Sequence, residues 1–315
     1  MKIAIMYGGT STEREASTEN AEYVETALKE LGHETVMIPY DKNLFNLLSR
    51  YAPDAAFICV QGKGHGDGVV QGILDFMNIP YTGSRALGAA VINDKILCKE
   101  LFQAAGVRTP PSPIRRGPAA PPGHALSRAD FLAGRLEPSG LEYPFVAKPP
   151  TQGLSIGIEL FHTPRDLWKL ETTFQYDDPI LLERFIPGHN ATVGILEHAG
   201  GRRTLFPPVG HPVNEEENTV LLRAGAPGPW VVRDYPEPLA GEITALAEKV
   251  FTLTRAAGYA RVDFRISSED RLPYVLEINA VPGLKPSSPF VRGASQAGID
   301  YHTIIRTIIT AALPP

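Results

Sequence analysis

The chain has 315 residues, 43% of them hydrophobic and 21% charged, and a net charge of −5. That length exceeds one simple core and calls for two or three domains of roughly 100–200 residues each, and the mild acidity argues against a nucleic-acid partner, which asks for a basic face. Only Cys59 and Cys98 are present, both in apolar surroundings, so buried free thiols are expected rather than a disulfide scaffold; no stretch approaches the roughly 20 apolar residues of a membrane helix, and a cytoplasmic protein without a membrane partner is expected.

Residues 2–7 are apolar and short and stop at Gly8-Gly9, the pattern of a buried strand. Ser11 is placed to cap a helix that carries Glu13 in its first turn, buries Ala21, Val24, Ala27, Leu28 and Leu31, and ends at Gly32. A strand at 34–39, a helix at 43–50 and a strand at 55–60 follow. This β-α-β-α alternation predicts a parallel sheet with helices on its faces. The third strand meets a glycine-rich loop, Gln61 to Gly68, where ligands collect at the carboxyl ends of parallel strands. A helix at about 69–77 comes next, and Asn93-Asp94 caps another that carries Lys95 and ends near Ala105.

Residues 110–124 hold six prolines and two arginines and read as a linker. The expected division is therefore 1–110, 111–186 and 187–315. Beyond the linker, residues 143–148 form a strand ending at Lys148, and Thr151 to Gly157 is a second glycine loop. A strand at 157–161, a helix at 164–173 and a strand at 180–186 come next. Residues 206–232, rich in Pro, Gly and acid, predict a long loop over a site. A helix at 239–257, a hairpin of 260–267 with 273–279, and a helix at 301–312 close the chain.

Asp263 lies on one strand of that hairpin, and Glu277 and Asn279, two apart on the next, share a face. Three hard oxygen donors suit Mg²⁺, which prefers carboxylates and phosphate oxygens. Arg261 shares the face of Asp263, where a cation stabilises charge developing on a reacting carbonyl or phosphoryl group. Lys95 and Lys148, from different segments, are candidates to clamp nucleotide phosphates. Gly153-Leu154-Ser155-Ile156-Gly157 can fold over phosphates with its backbone N–H groups, although it lacks the Gly-Lys-Ser/Thr of a P-loop.

Gly8 to Ser17, Pro80 to Ser84, Asp94-Lys95, Lys148-Pro149 with its loop, Leu182-Glu183, Arg261-Val262-Asp263 and Glu277 to Gly283 together resemble the D-alanine–D-alanine ligases of the ATP-grasp superfamily, in family order along nearly the whole chain. The resemblance implies an α/β ATP-grasp fold of three domains: an N-terminal parallel α/β sheet, a small central α+β domain and a larger C-terminal α+β domain. It implies ATP-dependent activation of a carboxylate as an acyl phosphate, amide formation, and release of ADP and phosphate. It assigns two Mg²⁺ ions, with Mn²⁺ as a substitute, to Asp263, Glu277 and Asn279, and the phosphates to Lys95, Lys148, Gly153 and Ser155. Glu183 falls beside adenine and Asn190 at the ribose. Arg261 and the Gly283 amide fall at the oxyanion, Glu13 at the first substrate's ammonium, and Ser288 at the second substrate's carboxylate. A homodimer and small amino-acid-like substrates are implied as partners.

The chain departs from that pattern at identifiable places. The family's first-loop histidine is Gln61, the first of its paired serines is Leu154, and its ribose glutamate is Asn190. Residues 205–229 contain no tyrosine or lysine, and Arg223 is the cation left there. Lys285 follows Gly283 where the family carries no lysine. Metal, phosphate and oxyanion positions are kept while first-substrate positions change. This points to the same chemistry on different substrates; a divergent but ordinary D-alanine–D-alanine ligase is the alternative, and cyclisation of a single substrate is permitted without a positive sign for it. A nucleotide-binding protein without turnover is the competing class. Lys285 predicts extra negative charge or an oxygen-rich end on the amine-side substrate.

Overall fold

The computed structural model describes residues 1–62, 64, 66–114, 124–136, 140–210 and 231–313. The N-terminal segment alternates as its sequence predicts: β1 (Lys2–Tyr7), α1 (Arg14–Glu30), β2 (Glu34–Pro39), α2 (Leu44–Tyr51), β3 (Ala55–Ile58) and α3 (Val69–Phe76). The three strands pair in parallel, in the order β2-β1-β3. Both faces of this sheet are covered. Ile3 and Ile5 of β1 pack with Val24 and Leu28 of α1, and Ala4 and Met6 pack with Leu48 and Val70 on the other side. Burial on both faces is why the strands read as continuous apolar runs.

Two short helices follow, α4 (Ala86–Asn93) and α5 (Lys95–Ala104). The Asp94 carboxylate caps α5 by accepting from the N–H groups of Ile96 and Leu97 at 2.9 and 3.1 Å, as the sequence predicts. Ser11 does not cap α1. Its Oγ donates to the Gln61 carbonyl at 2.8 Å and accepts from Glu13 N at 3.2 Å, so it ties the first turn to the glycine loop.

The middle of the chain supplies β4 (Ala125–Leu126), α6 (Arg128–Leu132), β5 (Phe145–Lys148), β6 (Glu159–Phe161), a 3₁₀ turn at Pro164–Lys169 running into α7 (Leu170–Phe174), and β7 (Ile180–Arg184). Its strands form a sheet in the order β4-β7-β5-β6. The rings of Phe145 and Phe161 stack at 4.5 Å at its centre.

The remainder contributes β8 (Gly188–Glu197), β9 (Arg203–Leu205), β10 (Val209–Gly210), β11 (Val231–Val232), α8 (Leu239–Leu253), β12 (Tyr259–Ser267), β13 (Pro273–Asn279), α9 (Pro289–Gln296) and α10 (Tyr301–Ala312). The sheet order is β11-β10-β8-β12-β13, with β9 on β8. β10 and β11 pair and so bring together the two ends of the expected long loop. Its middle, Arg223 included, lies outside the described residues.

Two packing relationships bring these parts to one cleft. α10 and α9 belong to the core that also holds β1 and α1, through Ile304, Ile305, Ile308 and Phe290. Ile92, Cys98 and Phe102 of α4 and α5 pack with Val262, Phe264 and Ile278 of β12 and β13, beneath α8. The helix carrying Lys95 therefore stands against the back of the hairpin that carries the acids. Both cysteines are buried and free, and burial pushes the Cys98 thiol up to about 12. No helix among the described residues is long and apolar enough to cross a membrane.

Candidate active site

β12 alternates strictly. Ala260, Val262 and Phe264 enter the core, so Arg261, Asp263 and Arg265 turn to the cleft. In the antiparallel register Arg261 stands opposite Asn279 and Asp263 opposite Glu277. A β-bulge follows at Asp263/Phe264, and Phe264 pairs with Val275, which leaves Leu276 as the extra residue. The four polar side chains thus form a two-by-two block on one face. The register makes Asp263 and Glu277 cross-strand neighbours, which two acids tolerate only with cations close by.

Those cations are present. Arg261 grips Asp263 with two hydrogen bonds, Nε to Oδ1 at 2.8 Å and Nη2 to Oδ2 at 2.7 Å. Lys95 Nζ lies 3.2 Å from Glu277 Oε2 and donates to the Gln152 carbonyl at 2.8 Å. Burial alone would raise the Glu277 carboxyl, but Lys95, Lys148 and Arg261 outweigh it and lower it. Asn279 donates its Nδ2 to Asp263 Oδ2 at 3.0 Å. Thr192 of β8, the neighbour of Asp263 on its other side, donates its hydroxyl to Asp263 Oδ1.

A second charged cluster lies on the sheet of β4 to β7. Lys148 at the end of β5 and Lys99 of α5 both contact the carboxylate of Glu183 on β7. Glu183 and Lys99 are buried, with side-chain exposures of 2% and 1%. Burial would raise the Glu183 carboxyl, but the two lysines overcome it and hold it at about 2. Lys99 also meets the Thr109 hydroxyl, which donates in turn to the Val275 carbonyl at 2.7 Å.

Glu13, at the start of α1, reaches under the second glycine loop. The N–H of Gly153 donates to it, and a Cβ on Gly153 would sit 2.4 Å from its Oε1, so any other residue there would push the Glu13 carboxylate aside. Burial raises the Glu13 carboxyl; Lys95 opposes the shift and Glu277 adds to it. Leu154 and Ser155 both hold left-handed backbone, φ 51° and 58°. That is costly for leucine in particular, and the Leu154 side chain is 42% exposed beside the cleft. Gln61 has a structural contact of its own, Nε2 donating to the Val281 carbonyl at 2.7 Å, which joins the first glycine loop to the turn after β13.

That turn is fastened to α1. Leu284 N donates to Asn20 Oδ1 at 2.9 Å, and Lys285 Nζ donates to Glu19 Oε2 at 3.0 Å. Ser288 caps α9, its Oγ accepting from Val291 N at 3.4 Å. Neither a positive φ nor a close neighbour demands glycine at 283, where a Cβ would meet only ordinary contacts. At the other end of the cleft, Asn190 of β8 accepts from Arg265 Nη1 at 2.8 Å.

One cavity of about 670 Å³ is lined by Glu13, Gln61, Lys95, Lys148, Gly153, Leu154, Ser155, Glu183, Asn190, Arg261, Asp263, Glu277, Asn279, Gly283, Lys285 and Ser288. Residues from every part of the chain, chosen on sequence grounds, face a single space. Among the described residues no three His, Cys, Asp or Glu side chains cluster as a self-sufficient metal site. The donor set is two carboxylates and an amide, and the remaining ligands of a hard divalent ion have to come from phosphate and water. That is how Mg²⁺ is held beside a nucleotide, so the residues fit the ion.

The family described as D-ala D-ala ligase C-terminus matches residues 125–209 and 231–310. The D-alanine–D-alanine ligase of Moorella thermoacetica is 32% identical over the full length of both chains. That of Geobacter sulfurreducens is 33% identical, over 99% of this chain and 94% of its own. The chain belongs to the D-alanine–D-alanine ligase family. A crystal structure of the Bacillus anthracis D-alanine–D-alanine ligase complexed with ATP superimposes with a TM-score of 0.78 at 25% identity, covering 99% of this chain and 97% of that one. The α/β architecture is an ATP-grasp fold, as the resemblance implies.

Several residues of this family member's site escaped sequence reasoning. Lys99 follows Lys95 by four residues and so shares its helix face, a signal that was available. Thr192, Glu19 and Asn20 carried none: each matters only through a partner distant in sequence.

Proposed function

We propose that the chain is an ATP-dependent ligase that joins the carboxylate of one amino acid to the amine of a second, with D-alanine the first substrate to test on both sides. The block of Arg261, Asp263, Glu277 and Asn279 on one face of the β12–β13 hairpin carries this reading. A carboxylate oxygen of the first substrate attacks the terminal phosphorus of ATP, the bond from phosphorus to the bridging oxygen breaks, and ADP leaves. The neutral amine of the second substrate attacks the acyl carbon of the resulting acyl phosphate. The C–N bond forms, the bond from carbon to the phosphate oxygen breaks, and inorganic phosphate and one proton are released.

In this reading Glu13 takes the ammonium of the first substrate and holds its carboxylate under the second glycine loop. Lys95 and Lys148, with the backbone of Gly153 and Ser155, bind the phosphates. Glu183 faces adenine and Asn190 the ribose. Arg261 and the Gly283 amide meet the oxyanion of the tetrahedral intermediate, where fixed donors act most strongly. Ser288 meets the carboxylate of the second substrate. Asp263, Glu277 and Asn279 would hold two Mg²⁺, or Mn²⁺, which neutralise phosphate charge when bound. The changes at Gln61 and Leu154 bear on which first amino acid is accepted, since an altered set of buried hydrogen-bond partners shifts selectivity by about 10²-fold or more. A cytoplasmic homodimer belongs to the same proposal.

The test is phosphate release by the purified chain with ATP, Mg²⁺ and a panel of D- and L-amino acids, with products identified by mass spectrometry. An amide product with stoichiometric ADP and phosphate is expected. ATP bound without turnover on any pair, unaffected by Asp263→Ala, would favour a nucleotide-binding protein instead.

A further inference from the structure

We infer that Lys285 is the residue that receives the carboxylate of the amine-side substrate, and that Glu19 holds its ammonium until that substrate arrives. The inference rests on the ligase reading and deepens it.

Lys285 and Ser288 flank one turn, closed by Ser288 N donating to the Lys285 carbonyl at 2.8 Å, and both line the cleft. The base of the turn is fixed, because Leu284 is buried and its N–H is held by Asn20. A flexible ammonium therefore swings from a rigid backbone, next to the hydroxyl at 288.

Apart from Arg184 of β7, which pairs with the exposed Glu142, the other paired cations of the cleft are committed to acids of the nucleotide and metal set. Lys95 is on Glu277, Arg261 on Asp263, and Lys148 with Lys99 on Glu183. Removing any of them strands an acid in a buried or half-buried place. The partner of Lys285 differs: Glu19 lies outside that set with a side chain 46% exposed, and Lys285 is 43% exposed. Water resolvates Glu19 when the pair opens, and exposed pairs of this kind contribute little to stability. Lys285 can be handed to another carboxylate at small cost. The amine-side amino acid needs such a partner, because its amine must be neutral to attack while its own carboxylate stays ionised.

The experiment lets D-alanine and D-alaninamide compete as acceptors, with D-alanine as the acyl donor, and reads the ratio of free-acid to amide dipeptide by mass spectrometry. D-alaninamide has no carboxylate and enters only as the amine. A ratio of products is insensitive to partial loss of folded enzyme. Wild type is expected to favour the free acid. Lys285→Ala should lose on the order of tenfold or more of that preference, the loss expected for one hydrogen bond to a charged group. Lys285→Arg should keep most of it, and Glu19→Gln should lower the acceptor KM. Arg292→Ala, removing an exposed cation on the same wall, should leave the ratio unchanged. A Lys285→Ala ratio equal to wild type overturns the inference while the ligase reading stands. The same holds if Lys285→Ala changes only the choice between acceptors with neutral and acidic side chains. Absence of any dipeptide from wild type, with D-alanine and with every other donor of the amino-acid panel, overturns both.

Discussion

Asp263 and Glu277 face each other across the β12–β13 hairpin, and each is held by a cation from a different place: Arg261 two residues along the same strand, and Lys95 at the start of α5. The pairing gives each of two carboxylates in one small space its own counter-charge. It also means that a metal must compete with Arg261 and Lys95 for the same oxygens, and that phosphate gives those cations an alternative partner. Metal and nucleotide binding should therefore be coupled. Titration calorimetry should find weak Mg²⁺ binding to the free protein and much tighter binding with a non-hydrolysable ATP analogue present. Asp263→Asn and Glu277→Gln should each reduce turnover by on the order of 10²-fold or more. Equal Mg²⁺ affinity with and without the nucleotide would contradict this coupling.

Glu183 offers a stability prediction. Its carboxyl is held at about 2 against an ordinary value of 4.5, so its stabilising contribution is present above 4.5 and is lost as pH falls toward 2. Glu183→Gln leaves Lys99 buried beside a neutral amide, which should cost about 3–5 kcal/mol and lower the thermal midpoint at neutral pH. Replacing both partners, Glu183→Leu with Lys99→Met, should recover much of the loss, because an apolar replacement of a buried pair is often neutral. Thermal unfolding of the single and double variants checks both statements.

Much of this was legible in the sequence. The opening β-α alternation, the cap at Asp94 and the terminal hairpin follow from apolar periodicity and turn residues, and the structure has them. β8 was not legible, although it is the longest strand among the described residues and the neighbour of β12. It begins Gly188-His189-Asn190 and contains Gly194, a poor strand signature. Its stability comes from pairing with residues some 70 positions away, Thr192 with Asp263 among them. Gly194 is required there because a Cβ would lie 2.5 Å from the Phe206 ring. The Lys99–Glu183 contact escaped for the same reason, since a lysine on a helix reads as solvated until a distant acid is placed against it.

In the proposed reading Asn190 faces the ribose and so bears on nucleotide selectivity. A glutamate at the ribose can accept from both hydroxyls. Asn190 has one lone pair of its oxygen engaged by Arg265, so it offers a ribose at most one further acceptor site beside its NH₂ donor. Discrimination between ATP and 2′-deoxy-ATP should be shallow in this chain. Asn190→Glu should deepen it by roughly tenfold, with Arg265 supplying the counter-charge. The KM ratio of the two nucleotides, measured for both proteins, decides the point.

Burial raises the Glu13 carboxyl above its ordinary value of 4.5, with Glu277 adding to the shift and Lys95 opposing it. Glu13 must be ionised to hold a substrate ammonium. As pH falls, the KM of the first substrate should therefore begin to rise at a higher pH than an ordinary glutamate would give. The KM for ATP should lack that limb where Glu13 is its only cause. Glu13→Gln should raise the KM of the first substrate by on the order of tenfold to a hundredfold and remove its pH dependence in this range. Turnover at saturating substrate should fall less, because Glu13 in the proposed reading binds the ammonium and is remote from the bonds that change. A KM profile that keeps the same acidic limb in Glu13→Gln would assign the titration to another group.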